Sequence, residues 1–206
     1  MKQFCLVFAL LASVAFRVYA DSPLTSTNFS EAYLSNPMVA GLTKTKSVTD
    51  AVWAYIASKD TPIADKMAVI NKIGWSIDGK SSAKEFLTYL KKKGICKSET
   101  DLEKKKDGAL LLCMAYLMAM DDYFNVTKAA EMARKAKKLN SKSYTFNIVC
   151  AIIEAQEEMN NDGDWCKMWK LTEVVRKNEK SLTDDMKAEA KKVIFDYMDL
   201  YKSSCK

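Results

Sequence analysis

Residues Ala109 to Met120 read ALLLCMAYLMAM, and no other stretch of the chain points so directly to the fold. The run contains no charged residue, and its apolar side chains do not alternate with polar ones as they would on a half-buried strand. It is also shorter than the roughly 20 residues that a helix needs to cross a bilayer. We therefore predict a helix that packs against other elements on most of its sides.

Signals for helix ends surround this run. Thr61 before Pro62 is typical of a helix N-terminus, and so is Ser82 with Glu85 three residues later. Ser98 is expected to open the longest element, which leads into the apolar run. The helix that starts after Pro62 is expected to end at 78–79, where Asp-Gly favours a turn.

The composition agrees with a helical protein. The chain has 206 residues with only 6 Gly and 3 Pro, which is unlike a turn-rich sandwich or barrel. We predict an all-α fold of seven to eight antiparallel helices, arranged as a bundle or as a short repeat-like array. Residues 47–206 are predicted to form a single helical domain. Residues 21–46 are predicted to be an extended segment with at most one turn.

The first twenty residues resemble a secretory signal. Phe4 to Phe16 is almost unbroken apolar sequence, and Val18-Tyr19-Ala20 places small residues before a cleavage site. We predict a signal peptide over 1–20 and export, either secretion or, in a bacterium, delivery to the periplasm. An uncleaved membrane anchor is the alternative, although the run is short for a span. No membrane span is expected after cleavage.

The charge and the residue types exclude several functions. The chain has no His, which removes His-based nucleophile systems, His-ligated zinc and His acid/base chemistry. Loss of Lys2 and Arg17 with the signal lowers the formal net charge by two from +6. The remaining basic residues lie beside acids, which is typical of solvated helix faces. We therefore expect no nucleic-acid partner, no cofactor and no catalytic residue.

Residues 107–178 resemble tetratricopeptide-type helical hairpins. The apolar run would be a first helix, Asp122-Tyr123 a turn, and a second helix would carry small residues at Ala129 and Ala136. A second such unit would follow from Tyr144. The usual Gly of the first helix is replaced by Met114 and the usual closing Pro by Ser141. The resemblance implies a scaffold with a groove for a peptide or a protein, and a non-repeating bundle is the alternative.

The cysteines indicate a disulfide. Five remain after signal cleavage, which also removes Cys5. Helices near 165–178 and 183–201 are joined by few residues and should be antiparallel, which places Cys166 and Cys205 at the same end. We predict that these two pair, and that Cys113 and Cys150 stay free in the core.

Two sequons and one acidic loop could carry modification or metal. Asn28 and Asn125 match the N-glycosylation pattern, which has meaning only in a eukaryotic source. Residues 158–164 are similar to a calcium loop, but Trp169 stands where a bidentate Glu is needed. We interpret that stretch as a polar turn and predict no metal site.

These observations favour a non-enzymatic protein- or peptide-binding module. Its binding surface is expected on the inner faces of the helices around 109–120 and 144–156. The alternative is a carrier that holds an apolar small molecule between helices, because Met and Trp line apolar pockets well. The side chains chosen for such a surface are Met114, Met118, Trp165 and Trp169.

Overall fold

The computed structural model describes residues 22–45 and 47–206. These residues form ten α-helices and no β-strand, so the all-α class is confirmed and the count exceeds the predicted seven to eight. The predicted signal peptide lies outside the described residues. The α-helices are α1 Pro37–Thr45, α2 Asp50–Ala57, α3 Ile63–Ile73, α4 Ser82–Lys92, α5 Glu99–Lys105, α6 Gly108–Asp121, α7 Thr127–Leu139, α8 Tyr144–Asn161, α9 Trp165–Lys177 and α10 Ala188–Met198. Three 3₁₀ helices, Phe29–Tyr33, Glu179–Ser181 and Asp199–Ser204, complete the regular structure of this part of the chain.

Helix α6 is the centre of the core, as the apolar run predicts. Its residues are buried except for Ala109 and Met118, which are partly exposed. It packs against α3, α4, α7 and α8, so neighbours cover it on several sides. A helix that is apolar all round is stable only in such a position.

The extra helices arise from breaks that the sequence interpretation missed. The segment opened by Ser98 is not the longest element, because Lys106 takes a left-handed conformation (φ 55°) and Asp107 then caps α6 through the Leu110 N–H at 3.1 Å. Among the residues that the structure describes, the longest helix is α8. Helix α3 ends at Ile73 rather than at 78–79, because Gly74 adopts φ 71°, which glycine tolerates without a Cβ clash.

The N-terminal segment is folded, in contrast to the extended lead that we expected. It contains the first 3₁₀ helix and α1, and both Leu24 and Phe29 are fully buried. Asn71 of α3 holds it in place by accepting from the Ser30 N–H at 2.9 Å and donating to the Thr27 carbonyl at 3.0 Å. Residues 22–45 therefore belong to the same core as the rest of the described chain.

Helices α6 to α9 pack in chain order, each against the next. Gly108 lets the start of α6 approach the end of α7 closely, since a Cβ there would lie 1.9 Å from Asn140 Nδ2. This order is compatible with two consecutive helical hairpins. The resemblance to tetratricopeptide repeats stays a prediction.

The last helix is shorter than the expected 183–201. Thr183 instead runs beside the start of α8, donating to the Lys142 carbonyl at 2.7 Å and accepting from the Tyr144 N–H at 3.1 Å. Asp185 accepts from the Thr145 N–H at 2.8 Å. These hydrogen bonds hold residues 183–185 against the start of α8, so they cannot join the last helix. Helix α10 therefore starts only at Ala188.

Within 22–45 and 47–206, no helix combines the length and the apolar character that crossing a bilayer requires.

Candidate functional site

The binding surface expected from the sequence does not form as one surface. Met114 is only 2% exposed and belongs to the core, and Met118 is half-buried on the same helix. Trp165 and Trp169 lie on α9, beyond α7 and α8 in the packing order. The inner faces of α6 and α8 are filled by packed side chains, so a peptide could enter there only by unpacking the core.

The two tryptophans hold the C-terminal 3₁₀ helix instead. The Trp165 ring stacks on Tyr201 with centroids 5.0 Å apart, and Trp169 Nε1 donates to Asp199 Oδ1 at 3.0 Å. Arg176 donates to both oxygens of the same carboxylate at 2.7 and 2.8 Å. Both tryptophans therefore make intramolecular contacts, and neither of them lines the two grooves described below.

Cys166 and Cys205 lie at disulfide distance, with Cα atoms 4.8 Å apart, and the structure joins their sulfurs. The C-terminal 3₁₀ helix packs against α9 and brings Cys205 beside Cys166 at the start of α9. Cys96, Cys113 and Cys150 are unpaired in the described part of the chain, and all three are buried. Burial raises the pKa of both Cys113 and Cys150 to about 12, which makes their thiols unreactive near neutral pH.

Both predicted glycosylation sites have exposed asparagines. Asn28 directly precedes the first 3₁₀ helix, and Asn125 lies in the loop between α6 and α7, next to Phe124. Exposure is what attachment requires, and modification of either residue stays a prediction. No group of three or more His, Cys, Asp or Glu in the described ranges is arranged to hold a metal ion.

An exposed apolar surface lies where the α3–α4 loop meets the α6–α7 loop. We call residues 76–80 and 121–124 the loop surface. They enclose an open groove of about 340 Å³. Ile77 and Phe124 are 61% and 63% exposed there, although both are large apolar side chains. The groove is lined by Ser76, Ile77, Asp78, Gly79, Lys80, Asp121, Asp122, Tyr123 and Phe124.

The two loops are cross-linked by Asp121, the last residue of α6. Its carbonyl accepts from the Lys80 N–H at 3.0 Å, and its Oδ2 accepts from the Ala83 N–H at 2.7 Å, at the start of α4. Gly79, at φ 76°, permits the close approach, since a Cβ there would lie 3.3 Å from the Asp121 carbonyl oxygen. Hydrogen bonds from the end of α6 therefore fix the two loops of the loop surface relative to each other.

Aromatic side chains pack against the exposed ring of Phe124. Tyr123 packs on Phe124 with centroids 4.2 Å apart, and Trp75 meets Tyr123 edge-on at 5.3 Å. Tyr123 itself is buried and Trp75 is half-buried. The exposed ring of Phe124 is therefore held in place by its contact with the buried Tyr123.

The groove combines these apolar groups with a net negative charge. Asp78 and Asp122 are exposed, and Asp121 is buried. Burial raises the pKa of Asp121, and hydrogen bonds from the Ala83 N–H and from the N–H and hydroxyl of Ser82 oppose that shift. Lys80, the one cation that lines the groove, donates its Nζ to the Ile73 carbonyl at 2.6 Å.

A larger groove of about 570 Å³ runs between α2 and α4. Its aromatic residues, Trp53 and Tyr89, are only 4% and 8% exposed. It therefore offers mainly polar and charged side chains to a partner, and we regard it as a weaker candidate than the loop surface.

The sequence analysis does not predict the loop surface, because helical spacing extends the helix after Pro62 through Ile77, and Asp122-Tyr123 is interpreted as a hairpin turn. The usable signal was the presence of large apolar residues, Ile77 and Phe124, directly beside turn-forming residues. Nothing in the spacing indicated that two loops more than forty residues apart would meet.

Comparison of the chain with protein-family models, with curated proteins and with solved structures gives no match.

Proposed function

We propose that this protein is a non-enzymatic, exported binding module for a protein or peptide, and that it binds through the loop surface. The observation that carries the proposal is the exposure of Ile77 and Phe124 at one groove, on two loops that are held together. Burying a side chain of this kind against a partner contributes about 1.5–3 kcal/mol. Exposed apolar groups surrounded by polar ones are typical of interaction sites.

The rigidity of the surface supports the same proposal. Asp121 bonds to both Lys80 and Ala83, and Phe124 rests on Tyr123. A surface that is already ordered loses less conformational entropy on binding than a pair of free loops would. The carboxylates of Asp78 and Asp122 form a polar rim that orients a partner around the apolar centre.

The test is a pull-down from the native extracellular or envelope fraction with three immobilised proteins. These are the chain without residues 1–20, its double variant Ile77→Ser/Phe124→Ser, and a control, Val174→Ser/Leu200→Ser. The control removes two apolar side chains of similar exposure, 57% and 65%, on α9 and the C-terminal 3₁₀ helix. Circular dichroism checks that all three are folded.

We expect a polypeptide that is retained by the unmodified chain and by the control and is lost with the loop-surface variant. Equal retention by both variants would place the binding elsewhere. A reproducible turnover by the purified protein, abolished by substitution of one acid or one Cys, would contradict the non-enzymatic part of the proposal.

A further inference from the structure

Two triplets of lysines, each at the C-terminal end of a helix, concentrate the positive charge of the molecule. Residues 91–106 contain seven lysines and three acidic residues, which is a formal charge of +4. Residues 21–206 together also carry +4, because the +6 of the whole chain includes Lys2 and Arg17 and no acid precedes residue 21. The rest of that range is therefore formally neutral. We call the six exposed side chains of the two triplets the lysine surface: Lys91, Lys92, Lys93, Lys104, Lys105 and Lys106.

The short connection between α4 and α5 brings the two triplets to the same part of the surface. Residues 93–98 join the two helices, and Cys96, within this connection, is buried in the core. Burial and the charge of Asp101 raise the pKa of the Cys96 thiol, whereas Lys91 and Lys105 oppose that shift. One ammonium group from each triplet therefore acts on the same sulfur atom, so the triplets lie near each other.

The acids of α5 do not neutralise this surface. Glu99 pairs with Lys128 at 2.6 Å, and Glu103 pairs with Lys135 at 2.7 Å. Both of these lysines belong to α7 and not to the triplets. The third acid, Asp101, accepts from a backbone N–H at 2.8 Å. The carboxylates closest in sequence to the lysine surface are therefore already engaged by other groups.

Five of the six lysines have no ion pair within the part of the chain that the structure describes. The exception is Lys92, which lies 3.5 Å from Asp50, and both of these side chains are 70% exposed. A pair that is so exposed contributes little, because water screens it. The lysine surface can therefore exchange this contact for the anionic groups of a partner.

A flexible anionic polymer matches this surface better than a membrane or a nucleic acid does. Within residues 91–106, all of which the structure describes, no large apolar side chain is exposed. Proteins that lie in a membrane interface insert such side chains. The segment also contains no aromatic residue, whereas proteins that hold single-stranded nucleic acid stack bases on aromatic rings. Lysine-rich patches without these features are suited to heparin-like chains, whose sulfate groups need only point charges.

We propose that the lysine surface binds a linear sulfated polysaccharide, and that the triplets of α4 and α5 contact sulfate groups of the same chain. The expected export of the protein would bring it to polymers of this class. The lysine surface shares no residue with the loop surface, so this inference does not depend on the proposed function.

The probe is a fluorescently labelled heparin decasaccharide, and its binding to the chain without residues 1–20 is measured by fluorescence anisotropy. Three further probes separate the possible sources of negative charge: the same decasaccharide without its sulfates, an oligothymidylate of equal charge, and vesicles of phosphatidylcholine and phosphatidylserine. We expect saturable binding of the sulfated chain that weakens as NaCl is added, because salt screens exposed charges. We expect about tenfold weaker binding of the desulfated chain and of the oligothymidylate, and weaker binding of the vesicles.

Charge-removing variants test the two triplets separately and together. They are Lys91→Gln/Lys93→Gln, Lys104→Gln/Lys105→Gln and the combination of all four substitutions. We expect each double variant to bind the sulfated decasaccharide about threefold more weakly and the fourfold variant about tenfold more weakly. The matched control removes four exposed lysines that have no ion pair among the described residues and lie outside the lysine surface: Lys59→Gln/Lys142→Gln/Lys170→Gln/Lys180→Gln.

Circular dichroism checks that the variants are folded, and the comparison of probes on the unmodified chain decides the ligand class without them. An unchanged affinity of the fourfold variant, or an equal loss in the control, would overturn the lysine surface. A loss in only one double variant would contradict the joint contact of both triplets. Binding of the desulfated chain, the oligothymidylate or the vesicles as tightly as the sulfated chain would overturn the assignment to a sulfated polysaccharide.

Discussion

At the scale of single residues, one buried amide organises the junction between the N-terminal segment and the core. Asn71 is 4% exposed, accepts from the Ser30 N–H, and donates to the Thr27 carbonyl and to the Tyr116 hydroxyl at 2.9 Å. Each of these groups is distant in sequence from Asn71, so the residue joins three parts of the chain. Buried groups of this kind are costly when left unpaired.

We predict that Asn71→Ala lowers the free energy of unfolding by about 3 kcal/mol, because it leaves several buried polar groups without partners. Chemical denaturation followed by circular dichroism measures the change. Asn178→Ala is the matched control, since Asn178 is exposed and bonds only locally to the Val174 carbonyl. A loss for Asn71→Ala as small as that of the control would contradict the role assigned to Asn71.

A second prediction at this scale concerns the free thiols. Because burial raises the pKa of Cys113 and Cys150 to about 12, both are protonated at pH 8 and reach solvent only on unfolding. We expect a thiol reagent at pH 8 to leave these two cysteines unlabelled in the native protein and to label them in denaturant. Labelling of either one in the folded protein, mapped by mass spectrometry, would show that its helix opens readily.

At the scale of elements, the C-terminal 3₁₀ helix is fastened to α9 by several side chains. The contacts are the Trp165–Tyr201 stack, the bonds of Asp199 to Trp169 and Arg176, and the Cys166–Cys205 pair. None of these contacts involves backbone pairing between the two elements. The terminal helix is therefore held by side-chain chemistry that substitution can remove.

We predict that non-reduced peptide mapping recovers Cys166 joined to Cys205. Cys205→Ser should then lower stability by about 2–4 kcal/mol, because the bond no longer restricts the unfolded chain. Thermal unfolding of the variant and of the reduced protein measures the loss. Recovery of Cys205 as a free thiol, or joined to Cys96, would contradict the pairing.

At the scale of the whole molecule, the described residues share one hydrophobic core that includes the N-terminal segment. Leu24, Phe29 and Tyr33 are buried in the same cluster as the side chains of α6 and α8. The Leu24 N–H even lies at 3.5 Å from Gln156 Oε1 of α8. Residues 22–45 thus complete the fold rather than precede it.

We predict that a chain starting at Pro37 is much less stable than a chain starting at Asp21. Removal of Leu24, Phe29 and Tyr33 costs about 1.5–3 kcal/mol for each side chain, which together approaches the stability of a typical domain. Thermal unfolding monitored by circular dichroism compares the two chains. An unchanged melting temperature would show that the N-terminal segment is dispensable for folding.

The sequence by itself determined the class of fold and the position of its central helix. A helix of twelve uncharged and almost entirely apolar residues is stable only when most of its side chains are buried. Helix α6 is buried in this way. Helical spacing and the short connection predicted between residues 178 and 183 also placed Cys166 and Cys205 at the same end, although the connection in the structure extends to residue 187. These features are local, because they depend on periodicity and on chain length between neighbouring elements.

Only the tertiary structure decided which surfaces stay open. Periodicity shows that a helix has an apolar face but not which partner covers it, so Met114 was assigned to a binding surface and lies in the core. The loop surface depends on the Asp121 bonds to Lys80 and Ala83, which join positions about forty residues apart. No local pattern encodes that contact, because it arises when α4 packs on α6 and brings the start of one helix to the end of the other.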